Sequence, residues 1–393
     1  MTVTIKSVQE SGNTMKYRTF GSLDWKPSAL GFGAMRLPVL DNDHGKINEP
    51  EATRMIRYAI DHGVNYVDTA YIYHKDTCET FLGRALQDGY REKVKLATKL
   101  PSWLVNTRED LDTFFDDHLT RLQTDHIDFY LLHALREKSW NTLMEFNVLD
   151  WVQSLLDEGK ISYAGFSFHD TFDLFKEITD SYEWTFCQIQ YNYMDEDYQA
   201  GTKGLEYAAR KGLGVVIMEP IRGGQLAASP PSIMDIWNTA PQHRSPAEWA
   251  LQWVWNHREV SLVLSGMSTM EQVVENVASA DRSGTNSLTP EELDLIGRVR
   301  DAYRETCPIS CTDCRYCQPC PAGVRIPLII GLYNDALMYD DLDGSRRVYK
   351  IIKEEERADR CTECGECEEK CPQSIEIRKW LKEAHELLKS EDM

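Results

Sequence analysis

Short apolar runs alternate with longer segments of helical period through the first 285 residues of this chain, and the alternation repeats eight times. Such a pattern predicts βα units arranged around a parallel sheet, because each crossover helix returns the chain to the same edge. The predicted strands lie at 29–35, 65–68, 94–98, 127–132, 163–167, 186–190, 214–218 and 260–264.

Eight strand–helix pairs over roughly 250 residues match a (β/α)8 barrel in size. We therefore predict an α/β chain whose barrel is preceded by a hairpin of segments 17–20 and 25–27 and includes a helix within 141–158. The alternative is an open doubly wound sheet. Its main sequence fingerprint is a GxGxxG turn after the first strand, which this sequence does not have.

Composition excludes several classes of protein. Hydrophobic residues make up 42% and charged residues 27% of the chain, which is typical of a globular protein and not of a coiled coil or a disordered tail. The formal net charge of −20 disfavours nucleic acid and anionic membranes as partners. The sequence has no apolar run long enough for a signal peptide or a transmembrane helix, so we expect a cytoplasmic protein.

The cysteines indicate a second domain. Of eleven cysteines, only Cys78 and Cys187 precede residue 307. We predict a barrel domain over 1–285, a linking helix over 286–306 and a cysteine-rich domain over 307–393. Because the cytosol keeps thiols reduced, a cysteine cluster there binds metal more often than it forms disulfides.

Two cysteine runs carry the most specific motif of the chain. The second, CTECGECEEKCP, has the CxxCxxCxxxCP spacing of a bacterial 4Fe-4S ferredoxin, and the first, CTDCRYCQPCP, is similar. Two structural zinc sites are the alternative, although zinc favours separated cysteine pairs. The segment between the runs, 326–356, is predicted to be helical, so the tail resembles an α-helical ferredoxin. The predicted ligands are Cys311, Cys314, Cys317, Cys320, Cys361, Cys364, Cys367 and Cys371.

Two-cluster ferredoxins exchange the fourth cysteine of each run. The same exchange here would give one cluster Cys311, Cys314, Cys317 and Cys371, and the other Cys361, Cys364, Cys367 and Cys320. The first run has two residues before its last cysteine where the usual run has three, which leaves the exchange and the number of clusters open. Cys307 is a further candidate ligand.

Polar residues end successive predicted strands of the barrel. Asp68 ends the second strand, Lys99 the third and His133 the fourth, and Tyr73 follows Asp68 on the loop. In a barrel these ends form the catalytic face. A tyrosine of pKa ~10 is a weak acid near neutrality, so we predict that Lys99 lowers the pKa of Tyr73. Asp68 would keep Lys99 charged, and His133 would donate a hydrogen bond to a carbonyl oxygen.

These residues carry a resemblance to the aldo/keto reductase family that covers residues 15–280. It rests on MKYRTFGSLDWKPSALGFGAMRL and on the tetrad Asp68, Tyr73, Lys99 and His133 within VDTAYIY, ATK and LLH. The resemblance implies reversible hydride transfer between NAD(P)H and a carbonyl or alcohol substrate, a reaction of the EC 1.1.1 type.

The resemblance also implies cofactor-binding positions. Ser167 and Gln188 match residues that hold the carboxamide, Met218 replaces a stacking tyrosine, and Arg222 and Gly224 resemble the loop around the pyrophosphate. The family's basic residues at the 2′-phosphate appear here as Gly266 and Gln272, which makes use of NADH plausible alongside NADPH. The remaining predicted cofactor positions are Ser265, Glu275 and Asn276.

The sequence thus predicts an oxidoreductase whose barrel transfers hydride and whose tail holds 4Fe-4S clusters, two in number by the motif count. The rival is a redox-sensing regulatory subunit that binds nicotinamide cofactor with little turnover. The clusters either exchange electrons with a partner protein or only stabilise the tail. Substrate identity and oligomeric state are not predicted.

Overall fold

The computed structural model describes residues 15–311, 315–371 and 373–389, which divide into two compact units. The first contains the described residues up to Gly223 together with Glu248–Thr289. The second contains Gly224–Ala247 and the described residues from Pro290 onward. The domain limits drawn from the sequence remain predictions, and Cys314 lies outside the described residues.

The first unit is built on a closed barrel of eight parallel strands in sequence order. The first strand pairs with the last through Leu30 opposite Val263 and Gly33 opposite Gly266, which closes the barrel. This confirms the predicted (β/α)8 fold. The strands are β1 (Leu30–Gly33), β2 (Tyr66–Asp68), β3 (Lys95–Leu100), β4 (Ile127–Leu135), β5 (Ile161–Phe168), β6 (Phe186–Gln190), β7 (Gly214–Met218) and β8 (Leu262–Gly266).

Helices follow the strands as predicted, with one difference. The segment 141–158 contributes to two helices, because Asn147 between them has a left-handed φ of 53° that ends the first. The helices up to residue 281 are α1 (Glu49–Asp61), α2 (Cys78–Ala85), α3 (Glu109–Leu122), α4 (Glu137–Glu145), α5 (Val148–Asp157), α6 (Phe172–Asp180), α7 (Gly201–Arg210), α8 (Pro231–Trp237, in the second unit), α9 (Pro246–Trp255) and α10 (Met270–Asp281).

The N-terminal end of the barrel is plugged by the predicted hairpin. Antiparallel bridges join Tyr17 to Ser28 and Phe20 to Leu23. Phe20 is fully buried, and its ring centroid lies 5.3 Å from that of Phe129. Since aromatic rings fill this end of the barrel, the polar strand ends are left at the opposite, C-terminal face.

The described residues of the second unit form helices joined by turns and loops, with no strand among them. Its apolar core includes Ile329, Ile330, Tyr349 and Leu381, and most of the described cysteines pack against it. The helical prediction for 326–356 is confirmed. Besides α8, the unit contains α11 (Pro290–Glu305), α12 (Ile326–Met338), α13 (Leu342–Ile351), α14 (Glu366–Glu369) and α15 (Ile377–Leu388).

A search of the described helices for one long and apolar enough to span a bilayer finds none.

Candidate active site and cysteine sites

A buried ion pair joins the ends of β2 and β3. Lys99 Nζ donates to Asp68 Oδ1 at 2.6 Å and to the carbonyl oxygen of Thr69 at 2.6 Å. The lysine side chain has no exposed surface and the aspartate side chain only 3%. An ammonium has three N–H donors, and two of them are used in these contacts. The third remains for a group on the open side of the barrel.

Burial and pairing act in opposite directions on this pair. Burial lowers the pKa of Lys99, and the carboxylate of Asp68 opposes that shift. Burial likewise raises the pKa of Asp68, against the effect of Lys99. Each charge is therefore maintained by the other, and removal of one partner from a buried pair typically costs about 3–5 kcal/mol.

Tyr73 lies against this ion pair. Lys99 Nζ is 5.1 Å from the centroid of the Tyr73 ring. Burial raises the pKa of Tyr73 well above its usual value, and the negative charge of Asp68 adds to that effect. Tyr73 is accordingly a neutral phenol. The sequence predicts that Lys99 lowers the pKa of Tyr73. To do so, its positive charge must outweigh this effect of burial.

His133, in β4, completes the group of four. Its ring centroid is 6.2 Å from that of Tyr73. Burial lowers the pKa of His133 well below its usual value, and the charge of Lys99 lowers it further. Its buried Nδ1 has no hydrogen-bond partner within the described chain. The structure thus brings all four predicted tetrad residues together, with a neutral imidazole beside a neutral phenol.

Two further residues at this face were missed by sequence reasoning. The Trp103 ring lies 5.1 Å from that of His133 and is 45% exposed, so it forms a wall of the site. His74 accepts a hydrogen bond from Leu37 N at Nε2 (3.2 Å), while its Nδ1 is 3.0 Å from the carbonyl oxygen of His44. His74 thereby ties the loop that carries Tyr73 to the segment after β1. Its only sequence signal is its position next to Tyr73.

The predicted carboxamide residues lie at the ends of neighbouring strands. Ser167 Oγ accepts a hydrogen bond from Ala134 N at 2.7 Å, so its own hydroxyl proton remains available to donate. Gln188 Nε2 donates to Met218 Sδ at 3.5 Å. Gln188 Oε1 is buried and has no hydrogen-bond partner among the described residues. An unsatisfied buried amide oxygen fits a ligand that brings its own N–H donors, as a carboxamide does.

The predicted phosphate-binding segments follow β7 and β8. Arg222 Nε is 3.1 Å from Asp195 Oδ2, and Gly223 and Gly224 have positive φ values of 67° and 110°. A left-handed backbone of this kind favours glycine. After β8, Asn276 Nδ2 donates to Ser265 Oγ at 3.0 Å.

The first two turns of α10 contain the other two predicted positions. Gln272 Oε1 accepts a hydrogen bond from Ser268 N at 2.7 Å, so this side chain is already engaged by the protein. Glu275 is exposed on the same helix.

In the second unit, cysteines from both runs line one cavity. Cys311 and Cys317 of the first run and Cys371 of the second surround it, together with apolar residues that include Ile326 and Ile330. Within the described residues, no three side chains of the usual ligand types converge on a single metal ion. A 4Fe-4S cluster spreads four cysteines over four irons, so ligands that line a cavity fit it.

Two further predicted ligands, Cys361 and Cys320, lie near Cys367. Burial raises the pKa of the Cys367 thiol, and among the smaller causes are the thiols of Cys361 and Cys320, which places cysteines of both runs in one neighbourhood. Cys364 is exposed. Cys307, the further candidate, donates from its thiol to the carbonyl oxygen of Ile309 at 3.3 Å.

Two different family models match the barrel part and the cysteine-rich part of the chain. Residues 29–299 match the model of the aldo/keto reductase family, and residues 310–376 match that of a 4Fe-4S dicluster domain. L-galactose dehydrogenase of Arabidopsis thaliana is 26% identical over 310 residues, which are 74% of this chain and 96% of that protein. An uncharacterized oxidoreductase of Bacillus subtilis, YrpG, is 30% identical over 233 residues, 54% of this chain and 68% of that protein.

Solved structures agree with these matches. The holo form of an aldo-keto reductase from Bacillus halodurans, AKR11C1, has a TM-score of 0.60 and 28% identity, covering 72% of this chain and 96% of that one. An aldo-keto reductase from Klebsiella pneumoniae in complex with NADPH has a TM-score of 0.57 and 25% identity, covering 73% and 95%.

The electrostatics of His133 give a first prediction. Because burial and Lys99 both disfavour the imidazolium, we expect His133 to stay neutral as the pH falls through about 6.5, the usual histidine value. The check is NMR of ring-labelled histidines between pH 8 and 5.5, with His133→Gln to assign the signal. A His133 resonance that titrates near 6.5 would contradict this description of the site.

Proposed function

The chain belongs to the aldo/keto reductase family, and we propose that its barrel transfers hydride reversibly between NAD(P)H and a carbonyl or alcohol substrate. The observation that carries the proposal is the buried Lys99–Asp68 pair beside Tyr73 and His133. A relative bound to NADPH and another named as a dehydrogenase support it.

The nicotinamide supplies or accepts the hydride when bound, and the proton is handled by the protein. Tyr73 holds its proton because burial raises its pKa, and it donates this proton to the carbonyl oxygen during reduction. Its acidity rises as the third N–H of Lys99 engages the phenol oxygen. One ammonium about 4 Å away contributes ~4 kcal/mol at an effective dielectric of about 20, whereas a shift of ~2 pKa units corresponds to ~2.7 kcal/mol. This contribution acts against the burial that raises the pKa of Tyr73.

The other two residues act on charge and orientation. Asp68 keeps Lys99 protonated against the effect of burial. His133 is neutral and therefore carries one N–H, which donates to the carbonyl oxygen and orients it toward Tyr73. Since His133 is neutral, Lys99 is the one cation among the four tetrad residues, and its charge opposes the effects of burial and of Asp68 on the pKa of Tyr73.

The cofactor would be held along the ends of β5 to β8. Ser167 and Gln188 bind the carboxamide through the free hydroxyl proton and the unsatisfied Oε1. Met218 covers a face of the nicotinamide ring through its polarizable sulfur. Neither Gly266 nor Gln272 brings a positive charge for a 2′-phosphate, so we propose that NADH is used as well as NADPH.

Tyr73→Phe tests the assignment of the acid. General acid catalysis contributes about 10²–10⁴-fold, so we expect carbonyl reduction to fall by that factor while the Kd values of NADH and NADPH stay within about twofold. The measurement is NADPH oxidation with an aldehyde panel that includes 4-nitrobenzaldehyde.

Tyr71→Phe is the matched control. Its hydroxyl donates to Asp117 at 2.9 Å and its ring packs on His118, so it shares the motif but not the site. Full turnover in Tyr73→Phe would refute the role of Tyr73. A wild-type protein that binds the cofactor but reduces none of the aldehydes would favour the redox-sensing role instead.

For the second unit we propose two 4Fe-4S clusters, each with ligands from both cysteine runs. Cys371 of the second run lies with Cys311 and Cys317 of the first, and Cys320 of the first run influences Cys367 of the second. With Cys314, Cys361 and Cys364 as the remaining ligands, the two sets are those expected from fourth-cysteine exchange.

Iron and acid-labile sulfide after anaerobic purification test the clusters. We expect about eight of each per chain, as two cubes require. Cys307→Ser, outside both sets, is the control and should retain them all. About four of each would indicate one cluster, and zinc in their place would refute both.

Paired substitutions test the exchange of ligands. Cys311→Ser with Cys371→Ser removes two ligands of one proposed cluster, so about four irons remain. Cys361→Ser with Cys371→Ser damages both clusters and leaves almost none. If each run held its own cluster, the two results would be reversed.

We propose further that the clusters exchange electrons with an external electron-transfer protein. Cys364 is exposed, so the cluster it ligates would lie near the surface of its unit. A nicotinamide gives up two electrons together, whereas a 4Fe-4S centre passes one at a time. Direct exchange would need a nicotinamide radical, so the hydride step is assigned to the barrel alone.

A further inference from the structure

Arg36 is an exposed cation at the C-terminal face of the barrel. It ends the short 3-10 turn Ala34–Arg36 that directly follows β1. Its guanidinium has no carboxylate partner in the part of the chain that the structure describes. We propose that Arg36 binds the pyrophosphate of the dinucleotide, an inference that rests on the proposed function.

The stem of the side chain lies across the end of β8. A Cβ placed on Gly266 would be 3.2–3.3 Å from the Cβ, Cγ and Cδ atoms of Arg36, so a side chain at 266 would displace the arginine. Arg36 therefore brings a positive charge from the end of β1 across to the end of its neighbour β8.

The guanidinium extends to the loop after β7. A Cβ on Gly223 would be 3.2 Å from Arg36 Nη2. This loop is the one expected to wrap the pyrophosphate, and its own arginine, Arg222, is already paired with Asp195. A guanidinium binds phosphate oxygens through two parallel N–H donors. Arg36 is therefore suited to bind the pyrophosphate, whose negative charge Arg222 does not neutralise while it is paired with Asp195.

The backbone of Arg36 is fixed from two sides. Ser268 Oγ donates to the carbonyl oxygen of Arg36 at 2.8 Å, and Ser268 directly precedes the cap residue of α10, Thr269. The next residue, Leu37, donates its N–H to His74 Nε2 at 3.2 Å. These bonds fix the main chain from which the side chain of Arg36 extends, so the backbone need not be ordered when a ligand binds. The N-terminus of α10 favours anions in the same region.

The test compares three ligands on Arg36→Met, which keeps the stem over Gly266 but removes the charge. Charged hydrogen bonds of this kind are worth about 10- to 100-fold in affinity, so NADH and NADPH should weaken by the same factor within that range. Reduced nicotinamide mononucleotide has no pyrophosphate, and its inhibition constant should not change. Kd values are measured by quenching of tryptophan fluorescence, and Arg36→Lys should bind more tightly than Arg36→Met.

Arg258→Met is the control, since Arg258 is 80% exposed and pairs with Glu259. It should leave all three affinities unchanged, and thermal melting confirms that each variant is folded. Weaker binding of NADPH alone would assign Arg36 to the 2′-phosphate and overturn the proposal, as would unchanged binding of both dinucleotides. If the wild-type protein binds neither, the proposed function itself fails, which is a distinguishable result.

Discussion

The buried pair of Lys99 and Asp68 is the interaction on which the rest of the catalytic face depends. Two charges this deep are stable only together, and they meet because β2 and β3 are neighbours in a closed barrel. The ammonium of Lys99 lies beside the Tyr73 ring and adds to the burial that keeps His133 neutral. The proton chemistry therefore depends on the closed barrel, which brings β2 and β3 together. The aromatic residues pack at the opposite end of the same barrel.

The second unit depends on a small apolar core and on its two cysteine runs. Its helices pack on a small apolar core, and cysteines from two runs about forty residues apart approach each other across it. Clusters ligated by both runs would tie together the helices between them, so they would stabilise the unit as well as carry electrons. A structural and an electron-transfer role are therefore compatible.

Much of this was predictable from the sequence. The strands were found because apolar runs mark them, and the tetrad because polar residues end those strands. Burial was not predictable: it raises the pKa of Tyr73, although a positive charge lies beside the ring. The contact of Arg36 with Gly266 was not predictable either. The two residues are more than two hundred positions apart, and their contact depends on how the first and last strands meet.

The central claim is that the barrel site performs the hydride step without the clusters. Rapid anaerobic mixing of the oxidised-cluster protein with NADH or NADPH and an aldehyde tests it directly, with cluster and nicotinamide absorbance followed together. The account predicts that the nicotinamide is oxidised over many turnovers while the cluster absorbance stays constant. Bleaching of the clusters at the rate of turnover, with no flavin or partner protein added, would contradict it.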